Sequence, residues 1–247
     1  MVYSALVTGA TGYLASHLLN DLGYSDLLLL DRTFKEGRIT LDKASFQVIE
    51  QDLSQNPKIV SSNFETLIHA AFVNNNEAEL EFLRQIPTNT YVIFFSTAAV
   101  YGEGLKHSTQ DQAEPINEYG RNKLELENYI SENFPKHLIL RIANPYGKEF
   151  GIKGFYQIAK NKFAKSEKLQ LNCTKPGELV RDFMTIDDFV SKVKELITKK
   201  AQGIYNISSG QGQSLEEFLA KELPEFDSNM IEYTGLRENE IKTSVLV

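Results

Sequence analysis

Short apolar runs alternate along the chain with segments whose apolar residues recur every three or four positions. "YSALVTG" reads as an opening strand, and "GYLASHLLNDLG" carries a helical period closed by Gly23. "DLLLLDR" follows as a second strand. "FQVIEQDL", "TLIHAAF" and "TYVIFFST" are apolar on both faces, as strands buried inside a parallel sheet must be. "YGRNKLELENYISENF" predicts a helix that ends before Pro135, and "KHLILRIANPYG" the next strand and loop. Past Gly147 the rhythm changes to helices at "GFYQIAKNKFAKSEK" and "TIDDFVSKVKELITKK", a strand at "GIYNISS" and a helix at "SLEEFLAKEL". The second of these helices starts acidic and ends basic, which suits its dipole. The last opens on Ser214 and Glu217, the spacing of a capping box. Such alternation predicts a parallel sheet with covering helices.

No proline-rich or Gly/Ser linker, repeat or low-complexity tract divides the sequence. Two intergrown lobes are therefore expected, 1–147 and 148–247, with a loose boundary near Gly147. The 247 residues, 42% hydrophobic and 24% charged, are ordinary for a soluble globular protein. A net charge of −7 argues against general nucleic-acid binding, which calls for a basic excess. It leaves room for a small anionic ligand, because a few amides and one arginine suffice to hold one. No apolar run approaches the ~20 residues of a membrane span, and the N-terminus lacks the basic and apolar regions of a signal peptide. Cys173 has no partner for an intrachain disulfide, and no Cys/His cluster suggests a metal site, so a reducing cytoplasm is the expected setting.

"LVTGATGYLASHL" places Gly9-x-x-Gly12-x-x-Ala15 between a strand and a helix. Glycine permits a tight turn and close approach of backbone to phosphate, and the helix start supplies aligned N–H groups. Ala15 stands where the dinucleotide fingerprint has its third glycine, a position that asks only for close helix–strand packing. Alone, the pattern is about as often an ordinary glycine turn. Its setting decides. The loop follows the first strand, and Asp31 closes the second at roughly the ~20-residue interval of the acid that bonds an adenosine ribose. An aspartate there repels a 2′-phosphate, so NAD is expected and NADP disfavoured, although the neighbouring Arg32 is suited to a phosphate.

In "NEYGRNKLELE", Tyr119 and Lys123 share a helix face one turn apart. A free tyrosine, with a pKa of about 10, is a poor base at neutral pH. A lysine ammonium beside it favours tyrosinate and lowers that value. The plain alternative is a packed tyrosine and a solvated lysine. "FFSTAAVYG" adds Thr97 at the carboxyl end of a buried strand, where ligands of open α/β sheets bind. A hydroxyl there is more often a cap, and it is the ordered set of loop, acid, hydroxyl and Tyr/Lys that argues for catalysis.

The motifs "TGATGYLASHL", "DR", "QDL", "IHAA", "STAAVYG", "YGRNK", "LRIANPYG", "RDFMTIDD" and "IYNISSG" cover nearly the whole chain. With them the sequence resembles the extended short-chain dehydrogenase/reductases, in particular the NAD-dependent epimerase/dehydratase family acting on nucleotide sugars. That resemblance implies a Rossmann-type doubly wound parallel sheet with a small intergrown C-terminal substrate lobe. It implies that Gly9, Gly12, Tyr13 and Leu14 wrap the pyrophosphate, with Thr11 and Arg32 in the same cofactor site, and that Asp31 holds the ribose. Asp52 and Leu53 flank the adenine, Ala70, Ala71 and Phe72 line the cofactor, and Ala143 lies near the nicotinamide. Thr97, Tyr119 and Lys123 form the catalytic set, with Tyr119 as acid–base and Lys123 on the nicotinamide ribose. Thr97, Asn144 and Arg181 meet the substrate, Arg181 gripping its diphosphate as a guanidinium can. The plain alternative for Arg181 is a surface ion pair with Asp182.

Three departures from the family pattern stand out. Ala98 and Ala99 occupy the positions of the Asp-Glu pair that dehydratases use for proton transfer, which argues against dehydration. The stretch from Phe72 to Thr90 holds only about two helical turns, short beside the helix that builds the family's dimer, so a homodimer is an open expectation and the family's mode of dimerisation is in question. The chain also stops after "ENEIKTSVLV", where relatives continue through another helix. Cys173 and His69 read as structural, and so does His107, with a substrate contact the minor alternative for it. The expectation is hydride transfer at C4 of a nucleotide-activated sugar, by a 4-epimerase or a 4-keto reductase. Reduction of a non-nucleotide carbonyl and a non-catalytic NAD-binding regulator are the alternatives.

Overall fold

The structure, a computed structural model, describes residues 3–19, 21–39, 45–55, 63–147 and 154–247. It divides into two compact units, each assembled from three stretches of chain. The first unit takes Met1–Thr97, Arg121–Arg141 and Val190–Tyr205; the second takes Ala98–Gly120, Ile142–Phe189 and Asn206–Val247.

The first stretch runs β1 (Tyr3–Thr8), α1 (Tyr13–Leu19), β2 (Asp26–Asp31), β3 (Ser45–Glu50), β4 (Phe64–His69), α2 (Asn76–Arg84) and β5 (Tyr91–Thr97). A short 3-10 turn, Ala98–Tyr101, leads to β6 (Gly104–His107), α3 (Glu118–Asn133), β7 (His137–Ile142) and β8 (Asn144–Tyr146). Then come α4 (Phe155–Ala164), β9 (Leu169–Leu171), β10 (Val180–Thr185), α5 (Ile186–Thr198) and β11 (Gly203–Ile207). The chain closes with β12 (Gly212–Ser214), α6 (Leu215–Glu222), β13 (Ile231–Tyr233) and β14 (Thr243–Leu246).

The first unit is built on a seven-stranded sheet of order β11-β7-β5-β4-β1-β2-β3. It is parallel through the pairings of β3 with β2, β2 with β1, β1 with β4 and β4 with β5. From β1 the chain moves outward to β2 and β3, then returns to β4 on the other side. That reversal opens a crevice at the carboxyl ends of β1 and β4, where such sheets bind their ligands. Leu28, Leu67, Val92 and Phe94 from the strands pack with Phe82 of α2 and Leu126 and Ile130 of α3. Between β1 and β5 the apolar runs are buried as expected. β3 departs from that expectation: five of its six residues are exposed and one is half-buried. It is the edge strand and its outer neighbour is solvent, so periodicity misjudged its burial. The helix expected over residues 12–23 is α1, ending at Leu19; Asn20 lies outside the described residues.

The second unit carries a five-stranded sheet in the order β12-β10-β14-β6, with β8 also paired to β10, and a separate β13-β9 pair. Its core stacks Phe183 on Phe218, with ring centroids 3.7 Å apart and planes at 10°. Cys173 is 1% exposed in this core, and burial pushes its thiol up to about 11. It is a packing residue. "KHLILRIANPYG" proves to be two strands in different sheets, β7 in the first and β8 beside β10, with Ala143 between them. The capping box of α6 is present: the Ser214 hydroxyl accepts from Glu217 N at 3.1 Å, and Glu217 accepts from Ser214 N at 2.9 Å.

Candidate active site

At the crevice of the first unit, Gly9 turns with φ +65°, and a Cβ built there stands 2.9 Å from the Ala71 amide. Only glycine lets the loops after β1 and β4 approach so closely. A Cβ on Gly12 meets Gly9 O at 2.9 Å, so the second glycine is required by its own turn. Asp31 closes that turn from the end of β2. Its Oδ2 accepts from Thr11 N at 2.8 Å and Thr11 Oγ1 at 2.5 Å. Arg38, which sequence reading passed over in favour of Arg32, donates to Thr11 O at 2.9 Å. Arg32 itself is exposed. The Ser54 amide and hydroxyl hold Asp52 below the usual carboxylate range, with Arg32 adding a smaller push. Leu53 is 2% exposed in the core, which leaves its backbone, not its side chain, toward any ligand. Tyr13 and Leu14 begin α1, and Ala70, Ala71 and Phe72 follow β4, all half-buried. Ala71 N donates to Thr8 Oγ1 at 3.3 Å, tying the two loops together.

Thr97 ends β5, half-buried. Its neighbour Ser96 donates its hydroxyl to Glu127, and Glu127 takes Nε and Nη2 of Arg141, the shortest of the Arg141 contacts being 2.7 Å. Lys123 is 3% exposed. Its Nζ donates to Phe95 O at 2.8 Å and sits 4.7 Å from the Phe72 ring centre and 4.5 Å from that of Phe94. Burial pulls Lys123 down to about 8, while Glu79 and Glu127 push back. The solvated lysine of the plain reading is thus excluded. Tyr119 begins α3 one turn before Lys123 and is 41% exposed. Asn117 caps this helix start by accepting from Gly120 N at 2.8 Å. A Cβ on Gly120 would meet Ala99 O at 2.4 Å, so the glycine of the motif is demanded by packing.

In the second unit a concavity of about 220 Å³ is lined by Asn144, Phe155, Gln170, Asn172, Arg181 and Glu240, among others. Asn144 donates to Asp182 O at 2.9 Å. Arg181 gives Nη2 to Glu240 at 3.0 Å and Nη1 to Val180 O and Lys242 O, each at 3.0 Å. Burial lowers the pKa of its guanidinium, against the opposing charges of Glu240 and Glu103. A surface pair between Arg181 and Asp182 is ruled out. Asp182 is fully buried and accepts instead from Ser209 N, Ser209 Oγ and Gly210 N at 2.7–3.0 Å. Ala143 N donates to Ile207 O at 3.0 Å. His107 stacks on Tyr101, centroids 4.8 Å apart at 5°, which is a packing role. A larger concavity of about 360 Å³, lined by Tyr24, Glu65, Tyr91 and Lys200 among others, lies at the amino ends of β1, β4 and β5. Ligands of open α/β sheets bind at the other end.

The parallel sheet with its glycine turn after β1 is the arrangement of a dinucleotide-binding fold. Residues 5–208 match the NAD dependent epimerase/dehydratase family, and the chain belongs to that family. Among its relatives is the ADP-L-glycero-D-manno-heptose-6-epimerase of Fusobacterium nucleatum, 26% identical over 85% of this chain and 76% of that one. A putative UDP-glucose 4-epimerase of Methanocaldococcus jannaschii is 28% identical over 86% of this chain and 79% of its own. The chain spans 63–79% of the length of the first four curated relatives it matches. In fold it is similar to MoeE5 in complex with UDP-glucose and NAD, at a TM-score of 0.82 and 21% identity, covering 98% of this chain and 89% of that one. Similar folds include both a UDP-glucose 4-epimerase and a dTDP-glucose 4,6-dehydratase. Among the described residues no helix is long and apolar enough to cross a membrane.

Proposed function

We propose that the chain is an NAD-dependent enzyme that transfers hydride at C4 of a nucleotide-activated sugar, as a 4-epimerase or a 4-keto reductase. The observation that carries the reading is Lys123, a cation held in the core on the same helix face as Tyr119. A structural lysine has no need of that site, whereas a tyrosine that must give up its proton gains from a fixed positive charge one turn away. The residues also fit a dinucleotide. Gly9 and Gly12 keep side chains out of the turn, and Asp31 is locked by Thr11 at the end of β2, where a ribose hydroxyl is met in this fold. NAD, when bound, supplies the acceptor and donor of hydride.

The chain's own part is proton handling and orientation. Thr97 hydrogen-bonds the sugar oxygen at the reacting carbon. Tyr119 takes that hydroxyl's proton on oxidation and returns it on reduction. Asn144 and Arg181 hold the diphosphate, with Glu240 setting the guanidinium plane. Ala98 and Ala99 lack acid–base groups, which favours epimerisation or ketone reduction over dehydration. Purified protein would be incubated with NAD or NADH and a panel of 4-hydroxy and 4-keto nucleotide sugars. Epimer or alcohol formation is expected; absence of both turnover and binding across the panel refutes the reading.

A further inference from the structure

His69, Glu79, Lys123, Glu127 and Arg141 are all buried in the first unit, none more than 4% exposed. Buried charges must be matched, since an uncompensated one is costly in a medium of low dielectric. Glu127 is matched by Arg141, which gives it three N–H contacts at 2.7–3.2 Å. Glu79 is bound differently. Its oxygens accept from His69 Nε2 at 3.1 Å and Val73 N at 2.9 Å. On the far side of the ring, His69 Nδ1 lies 2.7 Å from Thr8 Oγ1, which itself accepts from Ala71 N. One imidazole tautomer satisfies this whole chain, with the proton on Nε2 and the Thr8 hydroxyl donating to Nδ1.

In that arrangement Glu127 and Arg141 cancel, and Glu79 and Lys123 remain as one negative and one positive charge. The Phe94 ring adjoins both Lys123 and the histidine that holds Glu79. Phe94 stacks on His69 with centroids 5.7 Å apart, and Lys123 Nζ lies 4.5 Å from the centre of the same ring. Phe72, also over Lys123, precedes the Val73 whose amide Glu79 holds. The groups acting on Lys123 are the charges of Glu79 from α2 and Glu127 from α3, the latter paired with Arg141 of β7, together with the Phe72 and Phe94 rings and the Phe95 carbonyl. His69 of β4 stands behind Glu79.

We propose that Glu79, fixed by His69 and the Val73 amide, is the buried counter-charge of Lys123 and the positioning residue that keeps this lysine ammonium charged. Its catalytic consequence rests on the reading of Lys123 as the lysine that tunes Tyr119; the charge pairing does not. Burial pulls Lys123 towards neutrality while Glu79 acts the other way. Glu79 stays ionised for a related reason. Burial alone would raise its pKa, and His69, with Lys123 and the Val73 amide, more than reverses that.

The test is a double-mutant cycle on urea unfolding at pH 7, without cofactor or substrate, comparing Glu79→Gln, Lys123→Met and the double variant. Each single change strands a charge, so the double variant is expected to be more stable than the sum of the singles, by about tenfold or more in the unfolding constant. Strict additivity overturns the proposal. A second measurement needs no Glu79 variant. The lysine ε-carbon signal missing in Lys123→Arg is followed by NMR against pH in the unaltered protein. It is expected to report ammonium at pH 7, and a neutral Lys123 at that pH overturns the proposal. In a folded Glu79→Gln protein the same titration should move down by about one unit or more; no movement is equally fatal. Coupling in a protein that never turns over a nucleotide sugar would refute the functional reading and leave this one standing. An additive cycle in an active enzyme would do the reverse.

Discussion

Tyr119 is the exposed member of the proposed catalytic set and Lys123 the buried one, and the two positions call for different tests. Tyr119→Phe keeps the ring and removes the proton-transfer atom. Turnover is expected to fall by about 10²–10⁴-fold, the usual worth of a positioned acid–base group. NAD affinity by calorimetry should be unchanged; equal loss of both would make Tyr119 a packing residue. Lys123 bears on stability. It releases its proton at about 8 when folded, against an ordinary lysine value of 10.5. Between those limits the unfolded chain binds more protons, so stability rises with pH through that window. Denaturant unfolding from pH 7.5 to 10.5 should show this rise, and Lys123→Met should flatten it. At this scale the sequence was legible where partners are near in a motif, as with Gly9, Gly12 and Asp31. It was silent on His69 with Glu79 and on Arg181 with Glu240, because pairing across folded elements leaves no periodic trace.

Elements were readable where their signals are local and chemical. The Ser214–Glu217 capping box is present as its spacing predicts, and it starts the helix that brings Phe218 onto Phe183. Ser214→Ala should cost about 1 kcal/mol in urea unfolding, the ordinary loss for an N-cap; a change within error would show that β12 and the aromatic stack hold α6 unaided. Helix ends were harder. α4 stops at Ala164, short of the expected "KSEK", because Ser166 adopts φ +55° and Glu167 N reaches back to Lys162 O at 2.8 Å. α5 ends in the same way, with Lys200 at φ +50° and Ala201 N bonded to Leu196 O at 3.0 Å. Sequence rules look for glycine at such left-handed closures, and these helices use serine and lysine instead.

Across the whole chain, the alternation of apolar runs and helical periods gave the parallel sheet but not which strand lies at its edge. Burial of β3 depends on what stands beyond it, and no property of "SFQVIE" records that. Neither does the sequence record that the chain passes between the two units repeatedly, so that each is built from three segments. The glycine turn and Asp31 belong to the first unit, whereas Asn144, Arg181 and Glu240 belong to the second. Arg181→Ala removes the proposed diphosphate grip and leaves the glycine turn and Asp31 untouched. Calorimetry should then show nucleotide-sugar affinity falling by about tenfold or more, as expected when a charged hydrogen-bond partner is lost, while NAD affinity holds. Because Glu240 is left unpaired beside a phosphate, Arg181→Ala/Glu240→Gln should regain part of the loss. If Arg181→Ala binds nucleotide sugars as well as the unaltered protein does, the substrate is not held by its diphosphate, and a non-nucleotide carbonyl becomes the better assignment.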